Sequence, residues 1–323
     1  MIKKIIEISR ERTSLSIKLS QLIIRQDGQE EKTIPCEDIG VLLVDNQATN
    51  YTHCVFTELL KCGAAVVLCD NNHLPSGMLL PIEANTIQTE RYAKQINAKE
   101  PLKKKLWQQI VRAKIKHQAK LVKDNTQIYK ALSALLSHVR SGDPSNIEAR
   151  ASKLFWNAYI QSMSGTVILN EPRHSDGGAN LTNTGRDFLS EFKRDSEGKP
   201  PNNLLNYGYM VMRAAVARAI CSAGLLPSVG LHHRNKYNAF CLADDLVEPF
   251  RGFVEAKVRE IIKSGEDYEE LTQAIKARLL ETLYEEVEIS DYKGPLMVGL
   301  HRTAASLVRC FCGEQKEIEL PVI

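Results

Sequence analysis

The spacing of hydrophobic residues divides the chain into two regions. Near the N-terminus, Leu15, Ile17 and Leu19 alternate with polar residues, which is the two-residue period of a half-buried β-strand. Further strands are predicted at residues 2–8, 32–36, 41–44 and 64–69, and one helix at 51–62, which ends at Gly63. We therefore expect a β-rich, sandwich-like N-terminal domain over residues 1–85.

From about residue 87 onward, hydrophobic residues follow the 3.6-residue period of α-helices. Between residues 107 and 122 they form one apolar stripe, with most of the lysines on the opposite face. Further helices are predicted at residues 128–139, 145–163, 203–223, 239–262 and 267–286, and loops with a short helix near 186–192 in the segment 170–201. The chain is therefore predicted to be an α+β protein, with a larger all-α domain over residues 86–313 and a tail over 314–323.

Length and composition agree with a two-domain globular protein. The chain has 323 residues, and about 150 residues per domain is typical. Hydrophobic residues make up 43% and charged residues 25%, which excludes a disordered or fibrous protein. The longest apolar run, residues 64–69, is far shorter than the roughly 20 residues of a membrane-spanning helix. Because charged residues also interrupt any signal-peptide core, we expect a cytoplasmic protein that does not contact membranes.

The cysteines indicate a reducing compartment. Eight cysteines in a chain of this length are typical of free thiols rather than of a secreted disulfide framework. Cys310 and Cys312 form a close pair, but a single pair is a weak zinc signal. We therefore assign these two residues no metal site.

Positive charge is concentrated in one segment. The net charge is +3, yet residues 91–123 contain eleven lysines and arginines and a single acid, Glu100. Such a helix can simply be well solvated, but an excess of ten positive charges is more than solubility requires. It predicts contact with nucleic-acid phosphates, independent of base sequence and steeply dependent on salt. The candidate residues are Lys103, Lys104, Lys105 and Arg112.

The densest chemical signal lies between residues 230 and 251. Asp245 and Glu248 are three residues apart, so on a helix both carboxylates lie on one face. With a histidine from the His232–His233 pair they form a mixed nitrogen and oxygen ligand set, which suits Mn²⁺ and is usable by Mg²⁺. The alternative is a solvated acidic face paired with neighbouring arginines. Pro249 also disturbs helical geometry at the residue before it.

A second acid, Glu148, has a structural interpretation of its own. Ser145 and Glu148 have the spacing of a capping box, in which the glutamate folds back onto the serine amide at the start of a helix. From the residues alone, capping is favoured over chemistry at this position.

Five segments in the same order resemble the family of CRISPR adaptation integrases, the Cas1 family, and are closest to members from type II systems. The resemblance covers nearly the whole chain. It rests on residues 60–70, 146–148, 203–209, 223–227 and 230–251.

The resemblance implies a metal site formed by Glu148, His233 and Glu248 that holds Mg²⁺ or Mn²⁺. The family histidine lies three residues after the glycine that matches Gly230, which selects His233 over His232. Many relatives have aspartate where this chain has Glu248. Asp245 then becomes an auxiliary ligand or a supporting group, and the role of Glu148 changes from capping to ligation.

The resemblance also implies an activity and partners. The helical domain is expected to be a metal-dependent DNA endonuclease and integrase, in which a DNA 3′-hydroxyl attacks a phosphodiester of the CRISPR array. Expected partners are double-stranded and branched DNA (the spacer precursor and the CRISPR repeat), a second copy of the chain, the small subunit Cas2 and the type II RNA-guided effector nuclease. Arg234 and Arg251 are added to the candidate DNA contacts.

Two other functions stay open from the sequence. The chain is either this enzyme or a non-catalytic DNA-binding scaffold with a degenerate metal site. An unrelated small-molecule hydrolase with the same metal ligands is disfavoured by the basic segment, because such an enzyme has no need to bind phosphate backbones.

Overall fold

The computed structural model describes residues 3–9, 12–71, 73, 75–163, 194–195, 198 and 200–322. The short helix predicted near residues 186–192 lies outside them. Within the described residues, a β-rich N-terminal region is followed by a helical region, so the predicted α+β class is confirmed. The exact domain boundary at residue 85 stays a prediction.

In its described residues, the N-terminal region contains two four-stranded sheets and one α-helix. The strands are β1 (Lys4–Ile8), β2 (Thr13–Lys18), β3 (Gln21–Gln26), β4 (Lys32–Pro35), β5 (Ile39–Val44), β6 (Asn50–Tyr51), β7 (Ala65–Cys69) and β8 (Pro75–Leu79), and the helix is α1 (His53–Lys61). One sheet has the order β1-β5-β7-β8 and the other β4-β3-β2-β6. Fully buried Leu15, Leu22, Leu42 and Leu59 belong to one core shared by both sheets and α1, as the sandwich-like prediction requires.

The first sheet is largely parallel, which the sequence pattern did not indicate. Strands β1, β5 and β7 run parallel, and β8 pairs antiparallel with β7. Parallel neighbours need a crossover connection. Strands of the second sheet supply it between β1 and β5, and β6 with α1 supplies it between β5 and β7.

Helices dominate the rest of the described chain. They are α2 (Gln88–Ile96), α3 (Glu100–Leu121), α4 (Thr126–Leu135), α5 (Ile147–Met163), α6 (Asn202–Ser222), α7 (Cys241–Val247), α8 (Arg251–Lys263), α9 (Gln273–Glu281) and α10 (Leu296–Cys312). The apolar stripe of α3 is buried, with Leu106, Ile110, Val111 and Ile115 inaccessible to solvent. This helix packs against α4, α5 and α8.

The C-terminal part differs from the predicted helices. The predicted helix 239–262 is divided by a 3₁₀ turn at Glu248–Phe250, because Pro249 has no amide hydrogen for an α-helical bond. The predicted helix 267–286 is shorter and is followed by an antiparallel hairpin of β9 (Glu286–Ile289) and β10 (Tyr292–Pro295). The helical region is therefore not purely α-helical.

No element was predicted for residues 287–313, where α10 is found. Its buried residues Leu296, Leu300, Ala304 and Leu307 recur every three or four positions, so a helical signal is present in the sequence. Gly313 ends the helix with a φ of +77°, the left-handed conformation that glycine adopts without strain.

An ion pair joins the two regions. Lys276 of α9 contacts Asp45, which directly follows β5, and both side chains are at least 96% buried. Among the described residues, no helix is both long and apolar enough to cross a membrane.

Candidate functional site

Lys114 lies between two of the predicted metal ligands, Glu148 and Glu248. It belongs to α3, and although it is charged it occupies the buried face of that helix, with 7% of the residue exposed. Its ammonium group forms ion pairs with two carboxylates, those of Glu148 and Glu248. Two acids that are 100 residues apart in the chain therefore meet at one cation.

Asp143, rather than a Ser145–Glu148 capping box, caps the helix that carries Glu148. The Asp143 carboxylate accepts hydrogen bonds from the Ile147 amide at 3.0 Å and from the Glu148 amide at 2.9 Å. These are the unpaired amides of the first helical turn of α5. The predicted capping box is wrong, and the side chain of Glu148 remains free to act elsewhere.

The Glu148 carboxylate points toward α3. One oxygen, Oε1, accepts a hydrogen bond from Ser152 Oγ at 3.0 Å, one helical turn further along α5, and contacts Lys114 Nζ. About a quarter of this side chain is exposed to solvent. Glu148 therefore forms the accessible side of the carboxylate pair.

Glu248 forms the buried side of the pair. It begins the 3₁₀ turn between α7 and α8, and its Oε1 accepts a hydrogen bond from Arg251 at 3.1 Å. Its Oε2 forms an ion pair with Lys114 Nζ at 2.6 Å. Burial by itself would raise the pKa of Glu248, but the positive charges of Arg251 and Lys114 outweigh it and hold the pKa at about 2.

His233 is oriented by Asp245. The Asp245 carboxylate is fully buried and lies 2.6 Å from His233 Nδ1. It also accepts hydrogen bonds from the backbone amides of Leu231, His232 and His233 at 2.6, 3.0 and 3.2 Å. The hydrogen bond to Asp245 raises the pKa of His233 and fixes the proton on Nδ1, which leaves Nε2 as the nitrogen with a free lone pair.

The sequence left two roles open for Asp245, an auxiliary metal ligand or a supporting group. The observed contacts are those of a supporting group. Each of its oxygens already accepts two hydrogen bonds from the chain. Asp245 therefore orients His233 in this structure, and its role as an auxiliary metal ligand stays a prediction.

The two adjacent histidines have different environments. The His232 ring stacks on Trp107 with centroids 4.3 Å apart and an interplanar angle of 2°. Burial lowers the pKa of His232, which favours a neutral, packed ring. His233 meets Trp107 edge-on at 5.8 Å and pairs with Asp245 instead. The choice of His233 over His232 as a metal ligand stays a prediction.

The residues fit a divalent cation, although they are not gathered around one. In the part of the chain that the structure describes, no three His, Cys, Asp or Glu side chains are grouped closely enough to hold a metal ion. Glu148 and Glu248 nevertheless converge on one cation, the Lys114 ammonium. Two carboxylates and an imidazole are donors that Mg²⁺ and Mn²⁺ accept.

The basic candidates separate into two groups. Lys104, Lys105 and Arg112 are exposed on α3, and Lys103 is half-buried. Arg234 is exposed and pairs with Glu100 at the start of α3.

Arg251 belongs to the site rather than to the exposed basic surface. It pairs with Glu248, and its guanidinium lies over the Tyr209 ring at 4.1 Å from the ring centroid. Tyr209 in turn donates a hydrogen bond to the buried carboxylate of Glu255 at 2.7 Å. We therefore assign Arg251 to the positioning of Glu248.

Four residues of the site were not found from the sequence: Lys114, Asp143, Tyr209 and Glu255. Only Lys114 carries a usable signal, since a lysine four residues after Ile110 and three after Val111 falls within the apolar stripe of α3. Such a buried charge needs a partner of opposite charge.

Comparison with known proteins supports one family. Residues 6–280 match the family model described as CRISPR associated protein Cas1. The CRISPR-associated endonuclease Cas1 of Neisseria meningitidis serogroup C is 35% identical over 312 residues, which is 96% of this chain and 93% of that protein.

Solved structures share the fold. A casposase bound to integration product aligns with a TM-score of 0.76 at 18% identity, over 98% of this chain and 92% of that one. A Cas6-RT-Cas1–Cas2 complex aligns with a TM-score of 0.72 at 18% identity, over 97% of this chain and 35% of that one. Since the family model covers most of the chain and the Neisseria protein is similar almost from end to end, this chain belongs to the Cas1 family.

Proposed function

We propose that this protein is a divalent-metal-dependent DNA endonuclease and integrase that inserts new spacers into a CRISPR array. The observation that carries the proposal is the convergence of Glu148 and Glu248 on one cation position, in a chain of the Cas1 family. The reaction is a transesterification, in which a DNA 3′-hydroxyl attacks a phosphodiester and displaces another 3′-oxygen. With water as the nucleophile, the same site cleaves DNA.

Glu148, His233 and Glu248 would hold Mg²⁺ or Mn²⁺. When bound, such an ion stabilises the negative charge that develops on the phosphoryl and leaving oxygens. The protein's contribution is orientation. Asp245 keeps the proton of His233 on Nδ1, so that Nε2 is the nitrogen left to bind an ion, and Arg251 holds Oε1 of Glu248.

Exposed cations of α3 position the DNA in this proposal. Lys104, Lys105 and Arg112 are exposed on α3, the helix that also carries Lys114, so we expect phosphates bound by these residues to be held on the helix that carries the site. Contacts of this kind neutralise phosphates and do not read bases. Arg234 adds to this surface if DNA competes with Glu100 for its guanidinium.

The proposed partners follow from the relatives. A related casposase is bound to an integration product, and a related chain is part of a Cas1–Cas2 complex. We extend to this protein DNA and the Cas2 subunit. Binding of double-stranded and branched DNA and a homodimeric state are proposed from the sequence resemblance. The type II effector nuclease is proposed on sequence resemblance alone.

Glu148→Gln tests the site. The substitution removes the charge and leaves the Asp143 cap in place, so we expect a folded protein that has lost integration of a 3′-hydroxyl substrate in Mn²⁺ by at least about 100-fold. Glu281→Gln, an exposed residue at the end of α9, is the matched control and should retain activity. Integration by Glu148→Gln at the parental rate would show that the site is assigned wrongly.

A scaffold with a degenerate site is the second candidate. The observation that favours it is the Lys114 ammonium between the two carboxylates, where an active enzyme needs a divalent ion. Cleavage of branched DNA separates the candidates. An enzyme cuts the DNA only when Mg²⁺ or Mn²⁺ is present, whereas a scaffold binds the DNA and leaves it intact.

A further inference from the structure

Lys114 is buried between the two acids. Its side chain is 9% exposed, and its ammonium contacts Glu148 and Glu248 together. Burial would lower the pKa of Lys114, but the two carboxylates raise it overall, so the side chain is charged. Without this charge, two buried or half-buried carboxylates would face each other with Arg251 as their remaining cation.

The position between the two acids can be occupied by one cation at a time. An ammonium group at 2.6 Å from Glu248 Oε2 occupies the space that a metal ligated by the same oxygen would need. Two cations of this charge at ligand distance repel each other strongly in a buried site. Lys114 and a divalent ion therefore exclude each other from the carboxylate pair.

The two basic residues of the site differ in how easily they can leave. Arg251 is stacked on Tyr209 and binds Oε1 of Glu248, whereas Lys114 pairs with Oε2. Lys114 ends a flexible chain of four methylene groups, whose ammonium is readily solvated. The accessible side of the pair, at Glu148, gives the ammonium a route toward solvent.

We propose that Lys114 is an internal counter-ion that fills the cation position of the metal-free protein and is displaced when a divalent ion binds. This inference rests on the proposed metal site and adds a property to it. The protein is stable without metal because the lysine neutralises the acids, and metal binding is weakened by competition with the lysine.

Lys114→Met in DNA-free protein tests the inference, because methionine keeps much of the side-chain volume and removes the charge. We expect the midpoint of thermal unfolding without metal to fall. We also expect Mn²⁺ affinity, measured by electron paramagnetic resonance, to rise by about tenfold or more, since the competing charge is gone. Mn²⁺ should then raise the unfolding midpoint of the variant more than that of the parent.

Lys257→Met is the matched control. Lys257, in the middle of α8, is also 9% exposed and also pairs with two glutamates, Glu260 of the same helix and Glu285. Its substitution should lower the unfolding midpoint and leave Mn²⁺ affinity unchanged. A general loss of stability is thereby separated from a specific effect on the cation position.

Lys114→Gln and the parent protein cover the case in which Lys114→Met does not fold. Glutamine keeps a hydrogen-bond donor near Glu148 and should also bind Mn²⁺ more tightly than the parent. In the parent, the ¹⁵N resonance of the Lys114 ammonium, assigned by its absence from the glutamine variant, should change as Mg²⁺ is added.

The outcomes distinguish a failure of the counter-ion inference from a failure of the proposed metal site. If the parent and the Lys114 variants bind Mn²⁺ with equal affinity, or the variants bind it less tightly, Lys114 is not a competing counter-ion. If neither the parent nor any variant binds Mn²⁺, with or without DNA, the metal site itself is wrong.

Discussion

His117 is a buried histidine on α3, one helical turn from Lys114. Its ring meets Phe253 edge-on at 4.8 Å, and a side chain added at Gly252 would lie within 2.5 Å of it. Nδ1 has no hydrogen-bond partner among the described residues. Burial lowers the pKa of His117 to about 4, so the ring is neutral in the folded protein.

His117 is expected to make the protein less stable in mild acid. Between pH 6.5 and about 4, the unfolded chain binds a proton at this residue that the folded protein does not, so the free energy of unfolding falls as the pH is lowered through that window. The contribution of His117 to this decrease in the free energy of unfolding should reach about 3 kcal/mol and should not grow further below pH 4. Urea unfolding of the parent and of His117→Gln at several pH values measures it. The same pH dependence in both proteins would contradict the prediction.

At the scale of single elements, the start of α5 depends on Asp143. Asp143 and Asn146 have φ values of 49° and 48°, a conformation that aspartate and asparagine tolerate better than most residues. This turn brings the Asp143 carboxylate over the first amides of the helix, so that Glu148 extends toward α3.

Replacement of the cap should cost stability at Asp143 and not at Ser145. Asp143→Ala is expected to lower the free energy of unfolding by about 1 kcal/mol, because two amides lose their acceptor. Ser145→Ala should change it by less than about 0.5 kcal/mol. Chemical denaturation of both variants measures the difference. A larger decrease in the free energy of unfolding for Ser145→Ala than for Asp143→Ala would show that the capping box, and not Asp143, caps α5.

The helix α3 combines two functions on opposite faces. One face supplies the core and Lys114, and the other presents Lys104, Lys105 and Arg112 to solvent. A long helix of 22 residues allows this, since it is held by its neighbours along its whole apolar side.

The lysines near the start of α3 should determine how DNA affinity depends on salt. Changing Lys103, Lys104 and Lys105 to alanine is expected to reduce the slope of log affinity against log salt by about 2 to 3, because each phosphate that a lysine neutralises accounts for roughly 0.9 of that slope. The matched control changes three exposed lysines of the N-terminal region, Lys18, Lys32 and Lys61. Fluorescence anisotropy at several salt concentrations gives the slopes, and an equal change in both variants would remove α3 from the DNA interface.

At the scale of the whole molecule, the two regions are joined by a buried charge cluster. Lys276 pairs with Asp45, and His73 lies 3.0 Å from the other Asp45 oxygen. Glu7 is close by. Burial raises the pKa of Glu7 to about 7, against the opposing effect of Lys276.

Lys276→Met should destabilise the protein strongly. It leaves Asp45 buried without its cation, so the free energy of unfolding is expected to fall by about 3 to 5 kcal/mol. The double variant Lys276→Met with Asp45→Asn should recover part of this loss, because no unpaired charge remains at that pair. Lys293→Met, which breaks an exposed ion pair with Glu286, should cost less than about 1 kcal/mol. Equal losses at Lys276 and Lys293 would contradict the prediction.

Much of the candidate site was predictable from the sequence. Glu148, His233 and Glu248 were named from a resemblance, which the family match confirms, while their roles as metal ligands stay a prediction. The charge of α3 and the break at Pro249 were visible as local patterns, because each depends on neighbouring residues only.

The sequence by itself determined the family, the order of a β-rich region before a helical one, and the helical stripe of α3. Those properties follow from residue type and spacing along the chain. Only the tertiary structure decided that Lys114 meets Glu148 and Glu248, that Asp143 caps α5, and that Asp245 orients His233. Periodicity shows which face of a helix is buried, but the partner of a buried charge depends on how distant helices pack.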